Sequence, residues 1–208
     1  DFVMTVDSIV GQVLKSLDKA GISDNTLVVF SSDNGPVWYD KDTELFGHQS
    51  VGPLRGIKAS VWEGGHRVPF IVRWPGHISE GVKNGRTVAF ADVFATLAEL
   101  VGQDAIPQGT AEDSVSFLSA LLHPDQQQPA RPPILHSGQV IRDGDWKLIN
   151  TKGSRGFNSE RGVKYGIELY NLSSDLSETK NLADEMPEKV ESLRAKIRMI
   201  LEDSAESP

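Results

Sequence analysis

Cysteine is absent from the 208 residues, which excludes disulfides, thiolate zinc sites and cysteine nucleophiles within them. No apolar run approaches the roughly 18 residues that a membrane-spanning helix requires. Basic residues are few beside acidic ones, 21 Lys plus Arg against 29 Asp plus Glu, for a net charge of −8. A chain this acidic is a poor candidate for general nucleic-acid binding, which displaces counterions with a basic surface. Also missing are a Ser-His-Asp order, a phosphate loop, a His-Glu-x-x-His helix and any internal repeat. What is present suffices for a sizeable core: 38 % of residues are apolar, with eight Phe and four Trp.

The negative charge is concentrated early. Residues 1–130 hold 9 basic and 16 acidic side chains, whereas residues 131–208 hold 12 and 13. One early stretch runs the other way, with Arg55, Lys58, Arg67 and Arg73 against Glu63 alone. A cationic island in an anionic chain is where an anionic ligand is sought.

Apolar periodicity supplies the elements. Phe2, Val6, Ile9, Val10, Val13, Leu14 and Leu17 form the stripe of a helix that Gly21 ends. The unbroken run from Thr26 to Ser31 predicts a strand buried on both faces of a mostly parallel sheet. It leads into Ser32-Asp33-Asn34-Gly35-Pro36, at the strand end where ligands of open α/β sheets gather. Residues 36–65 lack a period and read as a long ordered loop. A strand from Val68 to Trp74 follows, then a short one at Val88 and Phe90. A helix from Asp92 is striped by Phe94, Leu97, Leu100 and Val101, and another runs from Ser114 to Leu122. The Pro- and Gln-rich residues 123–133 read as a linker. Beyond it, Ile134–His136, Gln139–Arg142, Trp146–Ile149 and Glu168–Tyr170 predict a small antiparallel sheet, with Asp143-Gly144 as a hairpin turn. A closing helix spans about Pro187–Leu201. The expected architecture is an α/β unit over residues 1–125 and a small α+β subdomain over 126–208.

Three groups carry chemistry. Asp33 and Asn34 offer two oxygen donors on one loop, suited to Ca²⁺ or Mg²⁺; the same Asp-Asn-Gly is also ordinary turn chemistry. Lys58, among Gly52, Gly56 and their neighbours, can neutralise an oxyanion and pass a proton to a leaving oxygen; the alternative is a solvated loop lysine. In Trp62-Glu63-Gly64-Gly65-His66-Arg67-Val68-Pro69, Glu63 and Arg67 are spaced to pair and so to fix the loop carrying Lys58, and His66 reads as structural or exposed. His48 either reaches a substrate or is a loop residue.

Together these segments resemble the sulfatase family. The stretch from Leu27 to Pro36 looks like the family's strand leading to its calcium-binding Asp-Asn. Pro53-Leu54-Arg55-Gly56-Ile57-Lys58, then Trp62 to Pro69 and Val72-Arg73-Trp74-Pro75-Gly76, resemble its second signature. Arg142 to Leu148, Glu168 to Leu172, Asp175 and Glu178 to Leu182 resemble its tail. The resemblance implies an alkaline-phosphatase-like fold, of which this chain is the C-terminal part: a mostly parallel sheet domain plus a small antiparallel-sheet-and-helix subdomain. It also implies sulfate-ester hydrolysis at a calcium site. Asp33 and Asn34 would be calcium ligands, Lys58 would contact the sulfate and the scissile oxygen, and His48 would lie toward the substrate.

One departure is large. The family's nucleophile is a formylglycine made from Cys or Ser two residues before Pro-x-Arg. Here Val51 and Gln127 stand at those places, before Pro53-Leu54-Arg55 and Pro129-Ala130-Arg131. The chain is therefore expected to be a C-terminal portion whose formylglycine and remaining calcium ligands lie elsewhere, inactive alone and prone to self-association through exposed truncated sheet. The parent's partner would be a sulfated small molecule or sulfated glycan, with no nucleic acid. Family analogy implies export to a periplasmic, secreted or lysosomal compartment. Two other readings stand beside this one: a phosphodiester or phosphonate hydrolase of the same fold, and a non-catalytic module.

Overall fold

Alternation at period two decides the larger sheet. In the computed structural model, which describes residues 2–103, 106–107, 109–152, 156–158 and 165–206, four strands pair in sequence order. They are β3 (Ile134–His136), β4 (Val140–Asp143), β5 (Trp146–Ile149) and β6 (Glu168–Asn171), by the numbering used below. All three pairings are antiparallel, with Ile141 opposite Leu148 and Leu148 opposite Leu169. Successive side chains point to opposite faces. Ile141, Leu148 and Leu169 therefore meet Val190, Leu193 and Ile197 of the closing helix α6 (Pro187–Glu206) in one core. Val140, Ile149 and Tyr170 face the other way and pack with Trp62 and Leu172. The second face also receives Arg142, Lys147 and Glu168, since Arg142 lies opposite Lys147, Lys147 opposite Tyr170, and Ile149 opposite Glu168.

Before this sheet come α1 (Phe2–Ala20), β1 (Val28–Ser31), α2 (Asp40–Phe46), α3 (Glu63–His66), β2 (Phe70–Arg73), α4 (Asp92–Leu100) and α5 (Leu118–Leu122). The long segment 36–65, read as a loop, thus holds α2 and the start of α3. The expectation of a mostly parallel sheet here is corrected: β1 pairs with β2 antiparallel, Ser31 opposite Phe70, and every strand pair among the described residues is antiparallel. A parallel pair needs a crossover to the opposite end of the sheet. Residues 32–69 instead stay at the end where β1 exits and β2 enters. Nor is β1 buried on both faces, for Val29 is 40 % exposed.

Two further expectations change. No strand forms at Val88 and Phe90, because side chains bind the backbone groups that a ladder would use. The Arg86 amide donates to Asn84 Oδ1 at 2.8 Å and the Ala89 amide to Asp92 Oδ2 at 2.8 Å. The apolar stripe of α4 does not face inward either, since Phe94, Leu97 and Val101 are exposed and the buried residues are Asp92, Ala95 and Thr96. Asp92 anchors that face: it accepts two hydrogen bonds from Arg131, at 2.9 and 2.7 Å, and one from the Val115 amide at 3.0 Å. The Pro-rich connection is therefore clamped at Arg131, which is buried by its pairing. On α1, Phe2, Val3, Ile9 and Val13 are exposed.

The α6 core should dominate the stability of the second sheet. Leu193→Ala, at a fully buried position, is expected to cost about 2–5 kcal/mol in urea unfolding. Met199→Ala, on the exposed side of α6, should stay within about 0.5 kcal/mol.

Candidate active site

The antiparallel register sets Ser31 and the turn after it beside the residues that lead into β2. The Ser31 hydroxyl donates to the Pro69 carbonyl at 2.7 Å, and the Ser32 hydroxyl to the Asn34 carbonyl at 3.0 Å, which closes the turn. Two backbone bonds then join this turn to the later loop. The Gly35 amide donates to Gly65 O at 2.9 Å, and the Lys58 amide donates to Pro36 O at 2.9 Å. Such an approach leaves no room for side chains. A Cβ on Gly35 would lie 1.9 Å from the Gly64 carbonyl oxygen, and one on Gly64 would lie 2.2 Å from that of Gly56.

The predicted residues are arranged as follows. Asp33 is exposed and Asn34 partly buried at the lip of β1, and Lys58 is partly buried on the loop bonded to that lip. Asn34 donates Nδ2 to the Gly35 carbonyl at 3.0 Å, leaving Oδ1 as the oxygen available to a cation. The set supplies one carboxylate and one amide oxygen, and no group of three or more Asp, Glu, His or Cys assembles as a metal cluster among the described residues. These donors fit part of the six to eight oxygen shell that Ca²⁺ takes. His48 sits apart on an exposed turn: its carbonyl accepts the Trp38 indole N–H at 2.8 Å and its ring stands edge-on to Trp38 at 5.6 Å. Among the described residues, no hydrogen bond links it to Asp33, Asn34 or Lys58.

Behind the lysine loop lies a buried network that sequence reading caught at one pair only. Glu63, 1 % exposed, meets Arg67 at 3.4 Å, as the spacing predicts. It also meets Lys147 at 2.9 Å, His66 at 3.2 Å and Arg142 at 3.4 Å. His66 is thus structural. Lys147, fully buried, bridges Glu63 to Glu178 at 2.8 Å, and Glu178 accepts the Glu63 amide at 2.6 Å. Arg55 donates to the Tyr170 hydroxyl and to the Glu178 carbonyl, each at 3.0 Å, and stacks on Trp62 at 3.8 Å. Trp62 and Tyr170 both donate to one oxygen of Glu168, at 2.8 and 2.7 Å. The signal for Arg142, Lys147, Glu168 and Tyr170 was the strand alternation that puts them on one face. Glu178 was less visible. It lies within a turn in which Asp175 accepts the Thr179 and Lys180 amides, and it takes a left-handed φ of 52°.

Burial opposes ionisation of Glu63, but the hydrogen bond from His66 and the charge of Lys147 outweigh it and hold the carboxyl far below its ordinary 4.5. Burial raises Glu178 despite Lys147. Asp33 and Lys58 differ from these residues: neither makes an ion pair with any described residue, whereas Arg55, Glu63 and Arg67 are all paired.

Comparison with known proteins bears on this arrangement. The sulfatase family profile matches residues 1–103, which hold Asp33, Asn34 and Lys58. The N-acetylgalactosamine-6-O-sulfatase of Bacteroides thetaiotaomicron is 35 % identical over 204 residues, covering 93 % of this chain and 40 % of that protein. The chain belongs to the sulfatase family. Human arylsulfatase G is 32 % identical over 197 residues, 83 % of this chain and 36 % of its own length. A B. thetaiotaomicron structure described under the metabolism of multiple glycosaminoglycans superposes with a TM-score of 0.79 at 35 % identity, over 94 % of this chain and 42 % of the other. This sulfatase chain thus spans about 40 % of the length of the curated relative with which it shares 35 % identity, and it carries part of the alkaline-phosphatase-like sulfatase fold.

His136, on β3, reports on the network. Its ring lies 4.7 Å from that of His66. Burial, then the charges of His66 and Lys147, lower it from 6.5 to about 4. Between those values the unfolded chain binds a proton that the folded chain does not, so stability falls as pH falls from 6.5 toward 4. The His136→Phe variant should lack this loss, which amounts to as much as about 3 kcal/mol. Urea unfolding of both proteins across pH 4–7 checks it, and parallel curves contradict it.

Proposed function

We propose that the chain supplies one wall of a sulfate-ester hydrolase site, with Lys58 as the group that touches the sulfate and Asp33 and Asn34 as two ligands of a calcium ion. The observation that carries this reading is the pairing pattern. The structural charges of the motif neutralise one another, while a carboxylate and an ammonium with no ionic partner among the described residues lie on two loops bonded to each other at Pro36 and Lys58. Hydrolysis of a sulfate ester breaks an S–O bond and leaves an oxyanion that must take up a proton. An ammonium at the scissile oxygen both attracts that developing charge and has a proton to give. Calcium, when bound, supplies positive charge to the sulfate oxygens. The backbone bonds at Gly35 and Lys58 hold the two loops in fixed relation, which limits the motion needed to meet a substrate.

The nucleophile comes from outside these residues, because neither Pro-x-Arg sequence carries a Cys or Ser two places earlier. Alone, the chain is inactive. The substrate class we infer is a sulfated glycan, in keeping with the name of the bacterial relative; His48, held beside Trp38 on the rim, is a candidate contact for its sugar part.

The test is a chimera in which residues 1–208 replace the matching segment of the B. thetaiotaomicron relative. The chimera should hydrolyse its 6-O-sulfated substrate, and Lys58→Ala should lower kcat by roughly 10²–10³-fold. Unchanged turnover in the variant would reject Lys58 as a catalytic residue. Turnover by the 208-residue chain itself would reject the missing nucleophile.

A further inference from the structure

We propose that the C-terminal sheet positions Lys58, with Lys147, Glu178 and Tyr170 acting through the two ends of its loop. The proposal rests on the reading of Lys58 given above and extends it to residues beyond the 1–103 that the family profile matches. Lys58 lies between two anchors. Three residues earlier, the Arg55 guanidinium is bound to the Tyr170 hydroxyl and the Glu178 carbonyl. Five residues later, Glu63 is fixed at both its amide and its carboxylate, the amide by Glu178 and the carboxylate by Lys147. Between the anchors the Lys58 amide is bonded to Pro36. The loop is thus stretched from the small sheet across to the Asp33 turn.

Stability alone does not account for such an arrangement. A buried ion pair contributes little over apolar residues of the same volume, because desolvation offsets the attraction. What it does confer is direction, since charges and hydrogen-bond donors accept partners in few geometries whereas an apolar contact tolerates many. Glu178 shows the same demand for one geometry: it keeps a left-handed backbone that a residue with a side chain seldom adopts, and its carboxylate reaches the Glu63 amide from there. Lys147 is fully buried on the middle of β5 with a carboxylate on each side.

The experiment is amide hydrogen exchange on the 208-residue chain and two variants. Arg55→Gln removes one anchor at a side chain 40 % exposed, where loss of the fold is not expected. Lys147→Met removes the other. Each variant should speed exchange at the Lys58 and Gly35 amides by roughly tenfold or more, and in Arg55→Gln the Ile141 and Leu193 amides should change less than about twofold. Should Lys147→Met fail to fold, Arg55→Gln decides. Lys58 exchange at the wild-type rate, or equal acceleration everywhere, overturns the proposal, the second outcome marking a purely structural network. Because the measurement needs neither sulfate ester nor cation, its failure leaves the role of Lys58 in hydrolysis standing. Conversely, the loss of that role would leave the exchange result intact.

Discussion

One buried carboxylate holds the architecture together. Glu63 lies almost wholly out of water, and an isolated charge there would cost many kcal/mol, so it persists only because cations surround it. Those cations are Arg67 just after its own helix, Arg142 on strand β4 and Lys147 on strand β5. The helix that carries Glu63 is one turn long and could not stand by itself. It exists because the second sheet presents Arg142 and Lys147 on the face turned toward it. From that contact follow the posture of the Gly64-Gly65 pair, the close approach of Gly35, and the meeting of the two loops that bear Asp33 and Lys58.

The charges of the motif divide into two sets. Arg55, Glu63, Arg67, Arg142, Lys147 and Glu178 satisfy one another and form a frame. Asp33 and Lys58 stand at its edge without ionic partners among the described residues. Frames of this kind leave the functional groups free to meet a ligand while fixing the backbone beneath them. The same division explains why the cationic island of the sequence is not a uniform anion-binding surface: two of its arginines are consumed by the frame.

How much of this was legible in the sequence follows from range. Local signals read well. The alternation of β4 to β6, the stripe of α6 and the Asp-Asn-Gly turn were all visible, because each depends on residues a few positions apart. The sense of pairing between β1 and β2 was not. A short apolar run such as Val28-Val29-Phe30 looks the same in a parallel and an antiparallel sheet, and the answer lay in where the 38-residue connection travels. The α4 stripe misled for a related reason. Phe94 and Leu97 have the right spacing, but Asp92 and Arg131 turn the opposite face inward. Lys147 and Glu178 were hidden as well, being polar residues whose burial depends on a partner some 84 positions away from Lys147. For the site, the residues could be named from motif and chemistry; that Pro36 and Lys58 are bonded could be known only from the fold.

The central claim is that the turn at Asp33-Asn34 and the loop at Lys58 face one common ligand, an oxyanion held by a hard cation. Backbone amide NMR of the chimera, in which the bacterial relative supplies the remaining calcium ligands, titrated first with Ca²⁺ and then with inorganic sulfate, tests it most directly. The account predicts that Ca²⁺ shifts the resonances of residues 33–35, and that sulfate added afterwards shifts those of residues 56–58 together with them. If the two segments respond to neither ion, or sulfate moves only resonances far from both, the two loops do not form a shared site.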